Sequence, residues 1–275
     1  MAHLEIGPND RLHFNETKPS RAGAATFVFV NALTGNANAW EAAVAPRLRE
    51  QGYGALSFDF RGQGRSGFET GRELTPQLML EDLKGLLAER APERAILVGL
   101  SLGGLLAARA TLEGAPAHGL ALLNTLREMG PQLEWIGEAM PRILNAGGAG
   151  LYLDALLPML VNPDFLAKAP QGALSGQYRG LAPEEGHASL ARNAHLADWD
   201  LPYEAVATPT LVISGLQDRV FLDRDAVNRL FKRLPDAQAE AWADAGHLLP
   251  QERPERLARS LARFAEELER RAAAA

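Results

Sequence analysis

Three residues far apart in the chain, Ser101, Asp218 and His247, are of the types that perform nucleophilic catalysis. A serine hydroxyl at neutral pH is a weak nucleophile and needs a base, itself oriented by a third group. Ser101 lies in Gly99-Leu100-Ser101-Leu102-Gly103, a G-x-S-x-G string. The chain has 26 glycines and eight serines, from which chance supplies only about 0.07 such strings. This one falls between an apolar run and a helical stretch, the setting of a nucleophile elbow. There a sharp turn exposes Oγ, and its neighbours must be small. The helix N-terminus behind it offers N–H groups and a positive dipole end to a developing oxyanion.

The partners are expected in the order serine, acid, histidine, on loops at strand carboxyl ends. Asp218 follows the run TLVISG (Thr210–Gly215) and precedes a helix predicted around Asp225–Leu234. Asp223 and Asp225 share that loop but stand where helix caps belong. Asn124 and Thr125, at the end of the preceding strand, are not acidic. Of the six histidines, His3 and His13 belong to an N-terminal hairpin and are expected exposed. His118 precedes a strand, at the wrong end of a sheet, and His187 and His195 fall in an inserted stretch where they could at best touch substrate. His247 alone follows the last strand-like segment, in AGHLLP.

The elements that must position these residues read as alternating strands and helices. TFVFV (Thr26–Val30), ALSFDF (Ala55–Phe60), AILVG (Ala95–Gly99), GLALLN (Gly119–Asn124) and TLVISG are short, continuously apolar runs. Burial on both faces, the habit of parallel sheets, explains such runs. Helices are predicted over about 39–51, from Thr75 as N-cap with Pro76 at the first position, and from beside Ser101 through LLAARATLE. At the C-terminus Leu257, Leu261, Phe264 and Leu268 form one apolar stripe, and Ala272–Ala275 is expected to fray. The fold class is α/β, a mostly parallel sheet flanked by helices. Pro8-Asn9-Asp10 marks a hairpin ahead of it.

One stretch breaks the alternation. Residues 125–200 hold no clear buried strand, six prolines and the Gly-rich NAGGAG (Asn145–Gly150). They read as a helical lid inserted into a core of residues 1–124 and 201–275. Trp135, Met140, Leu144, Tyr152, Met159, Phe165 and Tyr178 are candidate pocket walls, with ordinary cap packing as the plainer alternative. Arg127 is a candidate anchor for a substrate carboxylate, although a solvated surface arginine is the commoner state of such a residue. Trp40 reads as packing.

A second glycine string, Gly62, Gly64 and Gly67, is a literal G-x-G-x-x-G after a strand. Dinucleotide binding needs a helix to open directly there. FETGREL intervenes before Thr75, so a tight turn is the better reading.

In combination these strings resemble the α/β-hydrolase superfamily, in its small, lidded members. DFRGQGRSG (Asp59–Gly67) is similar to the family's D-x-R-G-x-G-x-S turn, GLSLGG to its elbow, GLQD to its acid loop and AGHLLPQERPE to its histidine loop. The resemblance covers nearly the whole chain and implies a Ser101–Asp218–His247 triad. It departs at the oxyanion loop, where the family usually carries His-Gly-x-x-Gly and this chain has Asn31-Ala32-Leu33-Thr34-Gly35-Asn36. Matched by position, the Leu33 and Leu102 N–H groups would hold the oxyanion. ALTG also resembles the corresponding loop of homoserine acyltransferases.

The implied activity is a serine hydrolase acting on a small-to-medium ester, lactone or thioester. The alternatives are carbon–carbon bond hydrolysis, cofactor-free haloperoxidase-like perhydrolysis, acyl transfer, and a non-catalytic receptor on the same fold. Neither metal nor cofactor is expected. The expected partner is a small acyl substrate. Zero cysteines exclude disulfides, thiolate metal sites and a cysteine nucleophile. A net charge of −6 argues against a nucleic-acid binder. No apolar run of ~18 residues suggests a membrane span, so a cytoplasmic protein is expected. Oligomeric state is left open.

Overall fold

The computed structural model describes residues 2–168 and 176–274. Eight strands form one sheet: β1 (Ala2–Gly7), β2 (Asp10–Thr17), β3 (Thr26–Val30), β4 (Gly54–Phe58), β5 (Ala95–Leu100), β6 (Gly119–Leu123), β7 (Thr210–Gly215) and β8 (Ala237–Trp242). Their spatial order is β1-β2-β4-β3-β5-β6-β7-β8. The β1–β2 hairpin turns at Pro8-Asn9 and is antiparallel, as is β2 against β4. All other pairs are parallel.

The apolar runs are explained by two cores, one per face of the sheet. Val28, Val30, Leu56, Phe58 and Leu97 join one, with α3 (Pro76–Arg90) and α4 (Leu102–Leu112). Phe27, Phe29, Ala55, Ile96 and Val98 join the other, with α2 (Val44–Glu50) and α10 (Pro254–Ala274). Successive residues point to opposite faces, so only a continuous run fills both cores. The helix expected over 39–51 is two pieces, α1 (Asn38–Glu41) and α2. Thr75 does cap α3, its Oγ1 accepting the Leu78 N–H at 3.2 Å. The last helix runs to Ala274 rather than fraying at Ala272. His13, expected exposed, is buried beside Asp59.

Between β6 and β7 lie α5 (Pro131–Leu160), α6 (Pro163–Leu166) and α7 (Gly186–Asn193), and no strand among the described residues. By length and composition α5 is apolar enough to cross a membrane, which corrects the expectation that no segment is. Its geometry argues otherwise. Gly148 (φ 67°, ψ −167°) breaks it into two arms. These are about 17 and 12 residues long, or roughly 26 and 18 Å at 1.5 Å per residue, short of the ~30 Å of a bilayer core. The arms pack on α7 through Leu144, Tyr152 and Ala191.

Candidate active site

Every parallel strand delivers its carboxyl end to the same edge of the sheet, and the candidate residues sit there. Ser101 ends β5 and opens α4, with φ 55° and ψ −118°. A non-glycine residue holds such a conformation only where its surroundings over-determine it. They do so here: a Cβ on Gly103 would lie 2.2 Å from the Val30 carbonyl oxygen, and one on Gly99 2.4 Å from Gly103. The flanking glycines of the motif therefore let α4 start directly against β3. At that start the Leu102 N–H has no hydrogen-bond partner among the described residues, as expected of the first residue of a helix.

Asp218 stands three residues past β7, and His247 five past β8. His247 Nδ1 and Asp218 Oδ2 are 2.6 Å apart, with both residues buried. Asp218 Oδ1 accepts the N–H groups of Val220 (3.0 Å) and Phe221 (2.9 Å). Burial would raise the pKa of this carboxyl. The His247 charge and hydrogen bond and the two N–H donors outweigh it and hold the value below the ordinary one. Asp223 caps α8 (Arg224–Phe231), accepting from Asp225 and Ala226 N–H, which sets it apart from Asp218.

Ser101 and His247 border one cavity of about 490 Å³. Ser101 Oγ accepts from Arg127 Nη2 at 3.0 Å, and no hydrogen bond joins it to His247 in this structure. Arg127 is buried, against the expectation of a solvated surface residue. Its guanidinium carbon lies 4.2 Å from the ring centre of Trp199 and 5.0 Å from that of Phe221. Burial lowers its pKa to about 10, with Asp218, Tyr203 and Tyr152 opposing, so it is cationic at neutral pH.

The loop after β3 is fixed by a polar network that spacing did not reveal. Ala32 O accepts from Gly35 N–H and from Gln63 Nε2, each at 3.0 Å. That fixes the peptide plane carrying the Leu33 N–H, which has no partner among the described residues. Asn31, the departure from the family pattern, donates to Phe58 O (2.7 Å) and accepts from Trp40 Nε1 (2.9 Å). Gln63 belongs to the second glycine string, where Gly62 and Gly64 both have positive φ in a tight turn.

Of the expected pocket walls, Met140, Tyr152 and Arg127 border the cavity. Leu144 does not; it is buried where α5 packs on α7. Trp135 is 79% exposed and Met159 41% exposed, and neither borders the cavity. Helical phase is the reason: Leu133, Ile136, Gly137 and Met140 share the cavity face of α5, and Trp135 is turned about 100° from Ile136. Phe165 packs with Leu160 and Val220, and Tyr178 donates to Asp154 at 2.9 Å. Sequence reading missed Trp199, Phe221 and Leu248, which also border the cavity, as does His195.

Two further groups tie the loops together. Asn124 Nδ2 donates to Gly246 O and His247 O, each at 3.0 Å, while its Oδ1 accepts the Gly215 N–H at 2.7 Å. Glu252 Oε2 accepts from Gly246 N–H (2.9 Å), Asn162 N–H (2.8 Å) and Asn162 Nδ2 (2.6 Å), and Oε1 accepts from Leu248 N–H (2.9 Å).

A model of the alpha/beta hydrolase family matches residues 27–260, and the chain belongs to that family. Among curated relatives, "Putative carbamate hydrolase RutD" of Caulobacter vibrioides is 27% identical, covering 97% of this chain and 99% of its own. Among solved structures, the enol-lactonase from Burkholderia xenovorans LB400 superposes with a TM-score of 0.77 at 24% identity, covering 96% of this chain and 99% of its own. A thermophilic esterase from Thermogutta terrifontis gives 0.77 at 24% identity, covering 94% of each chain.

Proposed function

We infer that this member of the alpha/beta hydrolase family is a serine hydrolase that cleaves a small-to-medium carboxylic ester, lactone or thioester through an acyl-enzyme. The observation that carries the reading is the 2.6 Å contact between His247 and Asp218 beside a serine held in an elbow on the same cavity. Asp218 binds Nδ1 of His247 and so leaves Nε2 as the base. Ser101 Oγ turns from Arg127 toward Nε2, gives up its proton and attacks the acyl carbon. Such contacts commonly close only when substrate is bound. The Leu33 and Leu102 N–H groups receive the oxyanion, and His247 returns the proton to the leaving group. Water then attacks the acyl-enzyme with His247 as base, and the acid departs. This sequence calls on no metal or cofactor.

The cavity volume fits a small acyl compound, and the names of the RutD, lactonase and esterase relatives agree in describing hydrolysis of acyl-type bonds. Residues 125–200 act as the lid in this reading, and the enzyme works in the cytoplasm. The test is Ser101→Ala. Its kcat/KM on 4-nitrophenyl esters should fall by roughly 10⁴-fold or more, with an unchanged thermal melt and no labelling by a fluorophosphonate. Appreciable turnover by that variant would remove Ser101 as nucleophile.

A further inference from the structure

The acyl-enzyme chemistry uses Ser101, Asp218 and His247 and gives Arg127 no task. A buried guanidinium is costly unless a carboxylate pairs with it. Arg127 forms no ion pair among the described residues. Its Nε donates to Thr125 O (3.4 Å), and its Nη2 to Asn124 O (2.9 Å) and Ser101 Oγ (3.0 Å), all uncharged acceptors. Nη1 has no hydrogen-bond partner among the described residues. Asp218 acts on the guanidinium through space, but its oxygens are committed to His247, Val220 and Phe221. Trp199 and Phe221 cover the guanidinium and hold it in place. The result is a fixed cation beside the nucleophile, with a donor nitrogen to spare.

We propose that Arg127 recognises an anionic substrate: the acyl compound cleaved here carries a carboxylate within about two atoms of its scissile carbonyl. The inference rests on the serine-hydrolase reading and adds the substrate class to it. The distance limit follows from the geometry. An attacked carbonyl carbon sits about 3–3.5 Å from Oγ, and a carboxylate oxygen about 2.7–2.9 Å from a guanidinium nitrogen. Nη2 is 3.0 Å from Oγ, so both substrate groups belong to the first contact layer around Ser101. Monoesters of short dicarboxylic acids and lactones with a carboxylate beside the ring carbonyl satisfy this. Glu134 and Glu138 also border the cavity, but both are exposed and solvated.

The test compares ethyl hydrogen malonate with ethyl 3-methylbutanoate, its uncharged counterpart of similar shape, by ethanol release. Wild-type kcat/KM should favour the malonate ester by about tenfold or more. Arg127→Met should lower the ratio of kcat/KM on the malonate ester to that on the neutral ester by about 30-fold or more, over and above any loss the two esters share through the Ser101 contact, with Arg127→Lys between it and the wild type. In the wild type, free malonate should slow fluorophosphonate labelling of Ser101 where malonamide does not, a measurement independent of whether the variants fold. No preference for the anionic ester, equal loss on both esters, or no protection by malonate overturns the role of Arg127. Labelling of Ser101 reports on the underlying reading separately: labelling without anion preference rejects Arg127 alone, and absence of labelling rejects the hydrolase.

Discussion

A carboxylate that is only 4% exposed keeps its charge by what surrounds it, and Asp218 is held by His247 and two backbone N–H groups. Desolvation pushes its pKa up, yet these partners leave it lower in the folded protein than its ordinary value. Linkage then fixes the sign. The stabilisation is fully present above the unfolded value, about 3.9, and is lost as pH falls through the lower folded value. Asp218→Asn cannot titrate there. The stability advantage of wild type over this variant should therefore shrink on acidification from about pH 6 toward pH 3, as measured by urea unfolding at several pH values. An advantage that grew on acidification would contradict the assignment. The same variant should lose roughly 10³–10⁴-fold in kcat, since asparagine no longer sets the His247 tautomer.

At the scale of elements, the strands present the loops that carry Ser101, Asp218 and His247, and other polar groups fasten them. Glu252, in α9 (Leu249–Glu252), receives four N–H hydrogens that span the histidine loop and the chain just past α5. The end of α5 also accepts the His247 N–H at Leu160 O (2.6 Å) and the Arg219 N–H at Met159 O (2.9 Å). Glu252→Gln replaces one acceptor oxygen by a donor facing N–H groups. It should cost about 2–3 kcal/mol in urea unfolding and lower kcat more than KM, because His247 loses its anchored backbone. Steady-state kinetics showing an unchanged kcat would separate Glu252 from the site. None of this was legible in the sequence, because Asn124 meets Gly246 and Glu252 meets Asn162 across the fold, with no local pattern to mark either contact. The strands were legible because TFVFV or TLVISG can be buried only on two faces. Asp218 was legible because it follows such a strand, and His247 because it follows the last strand-like run, the half-exposed AQAEAW, ahead of the final helix. Trp135 was misjudged because the phase of α5 depends on what the helix docks against.

For the whole molecule, the question is how one chain makes both the rigid sheet edge that carries the candidate residues and the helical wall that borders the cavity with it. The core supplies the first through two apolar layers. The helical wall is the bent α5, whose first arm lines the cavity and whose second arm ends on the loops carrying Asp218 and His247. Gly148 makes the bend, at φ 67° and ψ −167°, a conformation open essentially to glycine alone. A Cβ there would also lie 2.5 Å from Arg179 O. Gly148→Ala should therefore displace the first arm while leaving the elbow and the Asp218–His247 contact in the core. The expected consequence is a change in selectivity. KM should rise by about tenfold for esters whose acyl chain reaches Met140 and Leu153, against less than about threefold for acetyl esters. Limited proteolysis should cut α5 faster, while fluorophosphonate labelling of Ser101 persists. An unchanged dependence of KM on acyl length, in a variant whose α5 is demonstrably looser, would show that the sheet edge alone sets specificity.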